Sequence, residues 1–240
     1  DVISDFKSPL IFSTDASLKV TKHYTLKLNA SKNYRIPTFN DLYWEAGGNL
    51  NLKPESSFQI DLGQQLKVKA FNFSLNGFYI RSSDLIQWRP NNSLGYWYPV
   101  NINNVHNYGL EFGLGINKNF HQHSISFNCN YSYTVAKDLD KSQDLFYVPK
   151  HKANINIAYN YKFFTLFYQH LYNGKTTIIG RILPQFNLGN LGFSYSLKTN
   201  KTWQYILDFK LNNLYNKYYE NVSLRPMPNR NFTILLTIKF

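Results

Sequence analysis

The sequence predicts an all-β fold, a transmembrane antiparallel β-barrel, and three observations carry that prediction. Apolar and polar side chains alternate with a period of two along most of the 240 residues, with no stretch of helical period. The connections between alternating runs are short and long in strict turn. Aromatic residues make up 18% of the chain, with 19 Tyr and 19 Phe, more than a soluble core requires. Mean hydropathy is −0.39 and the unbroken apolar runs are short, which excludes a transmembrane helix. A barrel escapes such averages, because every second residue faces a wet lumen.

Eleven strands are expected, at about 8–20, 23–35, 54–68, 71–87, 100–117, 121–136, 149–160, 163–172, 183–198, 201–215 and 228–240. Many have about ten residues or more, enough to cross a bilayer at a tilt. In the second run Tyr24, Leu26, Leu28 and Ala30 oppose Thr25, Lys27, Asn29 and Ser31. That run should stop near Arg35, since Pro37 lacks a ladder donor and pushes Ile36 into an extended conformation. Gly47-Gly48-Asn49 offers positive φ for a reversal, and Pro54 stands where the next strand can begin. Phe58, Ile60, Leu62, Leu66 and Val68 form the apolar side of the third run, and Phe71, Phe73 and Leu75 that of the fourth. Leu110, Phe112 and Leu114 then alternate with glycines and Glu111, and Ile125, Phe127 and Cys129 alternate with Ser and Asn. Ile155, Ile157, Tyr159 and Tyr161 oppose Asn154, Asn156 and Asn160. Tyr205, Leu207, Phe209 and Leu211 come next, and Phe232, Ile234, Leu236, Ile238 and Phe240 close the chain.

Short turns are expected at Thr21-Lys22, Lys69-Ala70, Asn117-Lys118-Asn119, Tyr161-Lys162 and Thr199-Asn200, and long loops at 36–53, 88–99, 137–148, 173–182 and 216–227. A soluble up-and-down barrel has no reason to sort its loops by length. An outer-membrane barrel does, with tight turns at its periplasmic end and long loops outside. Eleven antiparallel strands cannot close on themselves, because first and last run the same way, so a larger barrel is expected. Residues 1–7 are too few for another full strand. No linker divides the chain, and 1–240 reads as one unit, part of that barrel. No charged-then-apolar leader follows Asp1, so any signal peptide is expected outside this sequence.

The net charge of +12 comes from 26 Lys+Arg against 14 Asp+Glu, but the basic residues are scattered, many in turns, rather than gathered on one aromatic-laced face. A nucleic-acid partner is therefore not expected. Cys129 stands alone, which excludes a disulfide framework and a cysteine metal cluster. His121 and His123, at i and i+2, could chelate a metal from one strand face, yet no carboxylate or Cys is near, and they read as solvated turn residues. Asp138, Asp140 and Asp144 form an acidic cluster without the glycine that a calcium loop needs, and read as a solvated loop. No nucleophile motif of the Gly-x-Ser-x-Gly kind is present. No cofactor, metal or catalytic residue is expected.

Ligand-binding candidates are aromatic and cationic groups of the long loops: Trp44, Glu45, Trp88, Arg89, Tyr96, Trp97, Arg181 and Arg225. An interfacial aromatic girdle is the competing account, and it has the advantage for Trp88, Trp97 and Tyr98 beside strand ends. Trp44, in mid-loop, is the better ligand candidate.

Tyr34-Arg35-Ile36-Pro37-Thr38, Asp41-Leu42-Tyr43, Gly48-Asn49 and Leu52-Lys53-Pro54-Glu55 resemble, in order and spacing, a segment of the TonB-dependent outer-membrane transporters, from the C-terminal half of their barrels. Terminal Phe240 resembles the signal that the barrel assembly machinery reads on bacterial outer-membrane proteins. The resemblance implies a 22-stranded barrel of which this is half, with no plug domain in this chain, surrounded by outer-membrane lipid. It implies active uptake of a large scarce nutrient, a ferric siderophore, haem or an organometallic ligand such as cobalamin, with a lean to cobalamin. TonB would act through the absent N-terminal plug. A passive porin or binding protein, and then an outer-membrane enzyme, remain the alternatives.

Overall fold

The computed structural model describes residues 9–45, 47–91, 95–198 and 203–240. Eleven long strands form one antiparallel sheet in chain order. They are β1 (Phe12–Lys19), β2 (Tyr24–Arg35), β3 (Glu55–Val68), β4 (Phe71–Ser83), β5 (Val105–Phe120), β6 (His123–Asp138), β7 (His151–Tyr161), β8 (Phe164–Asn173), β9 (Phe186–Lys198), β10 (Gln204–Asn212) and β11 (Asn231–Lys239). The two-residue strand Gln143–Asp144 adds to the loop end of β6. β1 and β11 are the two ends of the sheet, so the wall is part of a barrel. The register keeps each face uniform across strands. Leu28, Leu62, Gly77, Leu110 and Tyr133 form one outward row, while Lys27, Gly63, Asn76, Glu111, Ser132 and Lys152 form an inward one. The outward leucines are about half exposed and have no protein against them, as a lipid-facing surface requires.

The connections sort by length as expected. β3–β4, β5–β6 and β7–β8 are joined by two-residue turns, each with its first residue at positive φ: Lys69 (50°), His121 (53°) and Lys162 (49°). Positive φ at that place gives such turns a twist that matches the flanking strands. The turn expected at Thr199-Asn200 and the residues 1–7 lie outside the described residues. The turn expected at 117–119 instead falls at His121-Gln122. Asn117, Lys118 and Asn119 have the composition of a turn, but they stay paired with Ser126, Ile125 and Ser124, and Phe120 stacks on His123 at 5.2 Å. His121 and His123 therefore do not share a strand face, and the chelating pair is not formed.

Two further expectations are corrected. The fourth run does not continue to 87. Asp84 turns at φ 55°, and Leu85–Asn91 pairs with Tyr96–Ile102 as a separate hairpin standing on the wall. The 36–53 loop is not wholly irregular, since Phe39–Tyr43 forms a helix, α1, too short to show a period in sequence. The compact apolar core sits where this end of the wall is capped: Ile102, Val105, Ala136 and Leu145, with Leu85 and Val148 against them.

Candidate functional site

The loop layer is organised by the connection between β2 and β3. Arg35 and Glu55 are opposite each other in the register, and two bonds, at 2.6 and 2.9 Å, join guanidinium to carboxylate across the base of the loop. With its Arg35 side 43% exposed and Glu55 20%, this pair fixes geometry more than it adds stability, about 1 kcal/mol or less. Pro37 is fully buried, and Thr38 caps α1 in a reciprocal box with Asp41. Asp41 is almost entirely buried and accepts three hydrogen bonds, from the Thr38 amide (2.9 Å) and hydroxyl (2.7 Å) and from Trp88 Nε1 (2.9 Å), with the Arg35 guanidinium as an ion-pair partner at 3.5 Å. Burial works against its charge, but these donors outweigh it and hold the carboxyl below the usual aspartate range.

The same loop is then pinned to the hairpin 85–102. Asn49 donates its side-chain amide to the Pro99 carbonyl at 3.0 Å, and its backbone N–H to the Asp41 carbonyl at 2.9 Å. Asn101 pairs with the Lys53 backbone through both ends of its amide, at 2.8 and 2.9 Å, and so imitates a strand. Gly48 serves close approach rather than the expected positive φ, since a Cβ there would lie 2.4 Å from the Leu42 carbonyl oxygen. Leu42 and Leu52 are buried beneath. Arg35, Pro37, Thr38, Leu42, Gly48, Asn49, Leu52 and Glu55, quoted above for a resemblance, thus make a clasp. The Tyr43 ring lies tilted against Phe39, with centroids 4.7 Å apart, at the exposed side of α1, and Pro54 leads into β3.

The candidates fall into two groups. Trp44 ends α1, with its ring edge-on to Trp88 at 5.5 Å and about two-fifths exposed. Trp88 is held inside the clasp by Asp41, not on the lipid-facing girdle. Tyr96 and Trp97 lie beneath Gly47, and Glu45 is exposed beside it. Arg89 reaches the other way, to Asp138 at 3.0 Å and over the Phe146 ring at 5.5 Å. Asp138 is fully buried, which corrects the solvated acidic loop expected for it, and Asp144 pairs with Lys150 at 2.8 Å. Among the described residues no three metal-ligating groups converge.

The second group stands apart, on the connections β8–β9 and β10–β11. Arg181 binds Glu220 at 2.7 Å, and Glu220 also accepts from the Tyr218 hydroxyl and the Leu224 amide. A cleft of about 330 Å3 opens there between Arg181, Phe186, Lys217 and Tyr219. Arg225 is exposed on the small hairpin beyond it. Asp41, Asn101 and Asp138 were not among the candidates. Only Asp41 had a local signal, the Thr-x-x-Asp spacing of a helix cap; the partners of the other two lie far away in sequence.

Comparison with known proteins agrees with this architecture. The family described as "TonB dependent receptor-like, beta-barrel" matches residues 5–214. The vitamin B12 transporter BtuB of Photobacterium profundum is 27% identical over 227 residues, 92% of this chain and 36% of the relative. That of Vibrio vulnificus is 26% identical over 191 residues, 78% and 29% of the two. The chain thus spans about a third of the length of these relatives. Among solved structures, the copper transporter OprC superposes with a TM-score of 0.75 at 16% identity, covering 92% of this chain and 38% of that one. The siderophore receptor PirA of Acinetobacter baumannii gives 0.72 at 18%, with 94% and 40% covered. The wall, the sorted loops and the clasp at Arg35–Glu55 are those of a barrel segment, and the chain belongs to the TonB-dependent receptor family.

Proposed function

We propose that this chain is the C-terminal part of a 22-stranded outer-membrane receptor that takes up a large organic ligand, cobalamin in preference to a ferric siderophore or haem. The observation that carries the reading is the asymmetry of the wall. One end bears short turns, three of them of two residues, while the other bears loops packed into an ordered layer with Trp44, Trp97 and Arg181 still exposed. Such a layer suits capture from outside. The B12-transporter relatives supply the preference for cobalamin. Energy would reach the site through TonB acting on a plug, and the barrel assembly machinery would insert the wall. No chemistry on the ligand belongs to this reading.

The test is binding of radiolabelled cobalamin to the intact receptor, beside its Trp44→Ala variant. The expected result is specific binding that the variant weakens by about 1–3 kcal/mol, with the barrel still heat-modifiable. Binding of a ferric siderophore alone would move the reading to that branch. No binding of any of the three ligand classes would end it.

A further inference from the structure

The outward face of the wall carries a row of basic side chains that the loop layer does not use. The register sets Lys32 of β2, Phe58 of β3, Arg81 of β4, His106 of β5 and Lys137 of β6 side by side, just below the long connections. Among the described residues Lys32, Arg81 and Lys137 have no carboxylate within ion-pair distance. Asp144, beside Lys137 in the register, is engaged by Lys150. His106 bonds the Tyr79 hydroxyl at 2.9 Å and stands edge-on to its ring.

Beneath this row the face turns apolar, and there it is indented. Gly77 has no side chain where its row neighbours are Leu62 and Leu110, and a Cβ added there would touch only Leu110, at 3.4 Å. A groove of about 600 Å3 results, lined by Leu28, Ile60, Leu62, Tyr79, Leu110 and Tyr133. Gly77 and Arg81 are on one strand, four residues and therefore about 13 Å apart. An apolar channel thus runs up to a cationic row at the height where a membrane surface would lie.

We propose that this face is a binding site for a lipid with a phosphate headgroup, the phosphate on Arg81, Lys137 and Lys32 and an acyl chain along the Gly77 groove. The proposal rests on the outer-membrane reading above. Phosphate is the complement of an arginine fork flanked by ammonium groups. Basic side chains that only anchor a barrel at the interface need neither alignment in one register row, here on every second strand with Phe58 and His106 between them, nor a groove below them.

The experiment is native mass spectrometry of the intact receptor with dioleoyl phosphatidic acid, dioleoylglycerol, and inorganic phosphate as competitor, each variant being checked for heat-modifiability. Phosphatidic acid should be retained and dioleoylglycerol lost. Replacing Arg81 and Lys137 together by Gln should cut retention about tenfold or more. Gly77→Leu, which fills the groove and leaves the charges, should cut it severalfold, and it decides the matter where the double variant does not fold. Removing two inward lysines instead, Lys27→Gln with Lys152→Gln, should change nothing. Equal retention of the two lipids, retention unchanged by Gly77→Leu, an equal effect of the inward pair, or displacement by inorganic phosphate would each overturn the proposal. A receptor that forms its barrel but retains no phosphatidic acid sinks this site alone. One that never forms a membrane barrel sinks the receptor reading with it.

Discussion

At the scale of single residues, Asp41 decides how the loop layer is held. Its carboxylate is nearly buried, and every donor on it favours the ionised form. A carboxyl whose folded value is depressed adds stability above its unfolded value near pH 3.9, and that contribution disappears as pH falls through the lowered value. The loop should therefore stay closed at neutral pH and open in acid, below about pH 4. Asp41→Asn should remove that acid transition. At neutral pH it should raise hydrogen exchange across 36–54, as expected for losing about 1–3 kcal/mol of charge-assisted bonding. Exchange in the variant identical to the parent at both pH values would show that Leu42 and Leu52 hold the loop without it. Trp88 should loosen with Asp41, because its indole N–H would face a weaker acceptor.

At the scale of elements, period-two alternation made the wall legible and left the caps obscure. Strand facing follows directly from residues such as Ile157, outward and opposite Phe127 and Tyr168, and Asn156, inward and opposite Asn128 and Gln169. Ile157→Arg should cost about 2–4 kcal/mol near mid-membrane, while Asn156→Arg should be tolerated in the lumen. Urea unfolding of both variants in lipid checks this, and equal damage would reverse the facing. The hairpin at 85–102 was missed because Ile86 and Trp88 alternate with Gln87 and Arg89 directly after β4, so its first strand reads as more of the same run. The only break is Asp84, a residue that tolerates positive φ without announcing it. The clasp was visible only as a resemblance. Its physics lies in pairs such as Asn49 with Pro99 and Trp88 with Asp41, separated by about fifty residues and without a local pattern.

At the scale of the whole molecule, the open edges matter most. Among the described residues β1 and β11 each have a single neighbour, so each presents a row of unpaired backbone donors and acceptors along a largely exposed strand. In water such edges pair with other chains, and in lipid they cannot be left unmet at all. Eleven antiparallel strands leave β1 and β11 running in the same direction, so antiparallel closure of this sheet alone is geometrically denied. Refolded by itself in detergent or lipid, the chain should give no monomeric heat-modifiable species and no ion conductance, and it should associate through its edges. Co-refolded with the remaining strands of the receptor, supplied as a second polypeptide, it should form a heat-modifiable barrel, because both edges then find antiparallel partners. Gel mobility with and without heating reads both outcomes. A compact, conducting monomer from this chain alone would mean that the wall can rearrange to an even strand number, and the receptor half would then have to be reread as a small barrel in its own right.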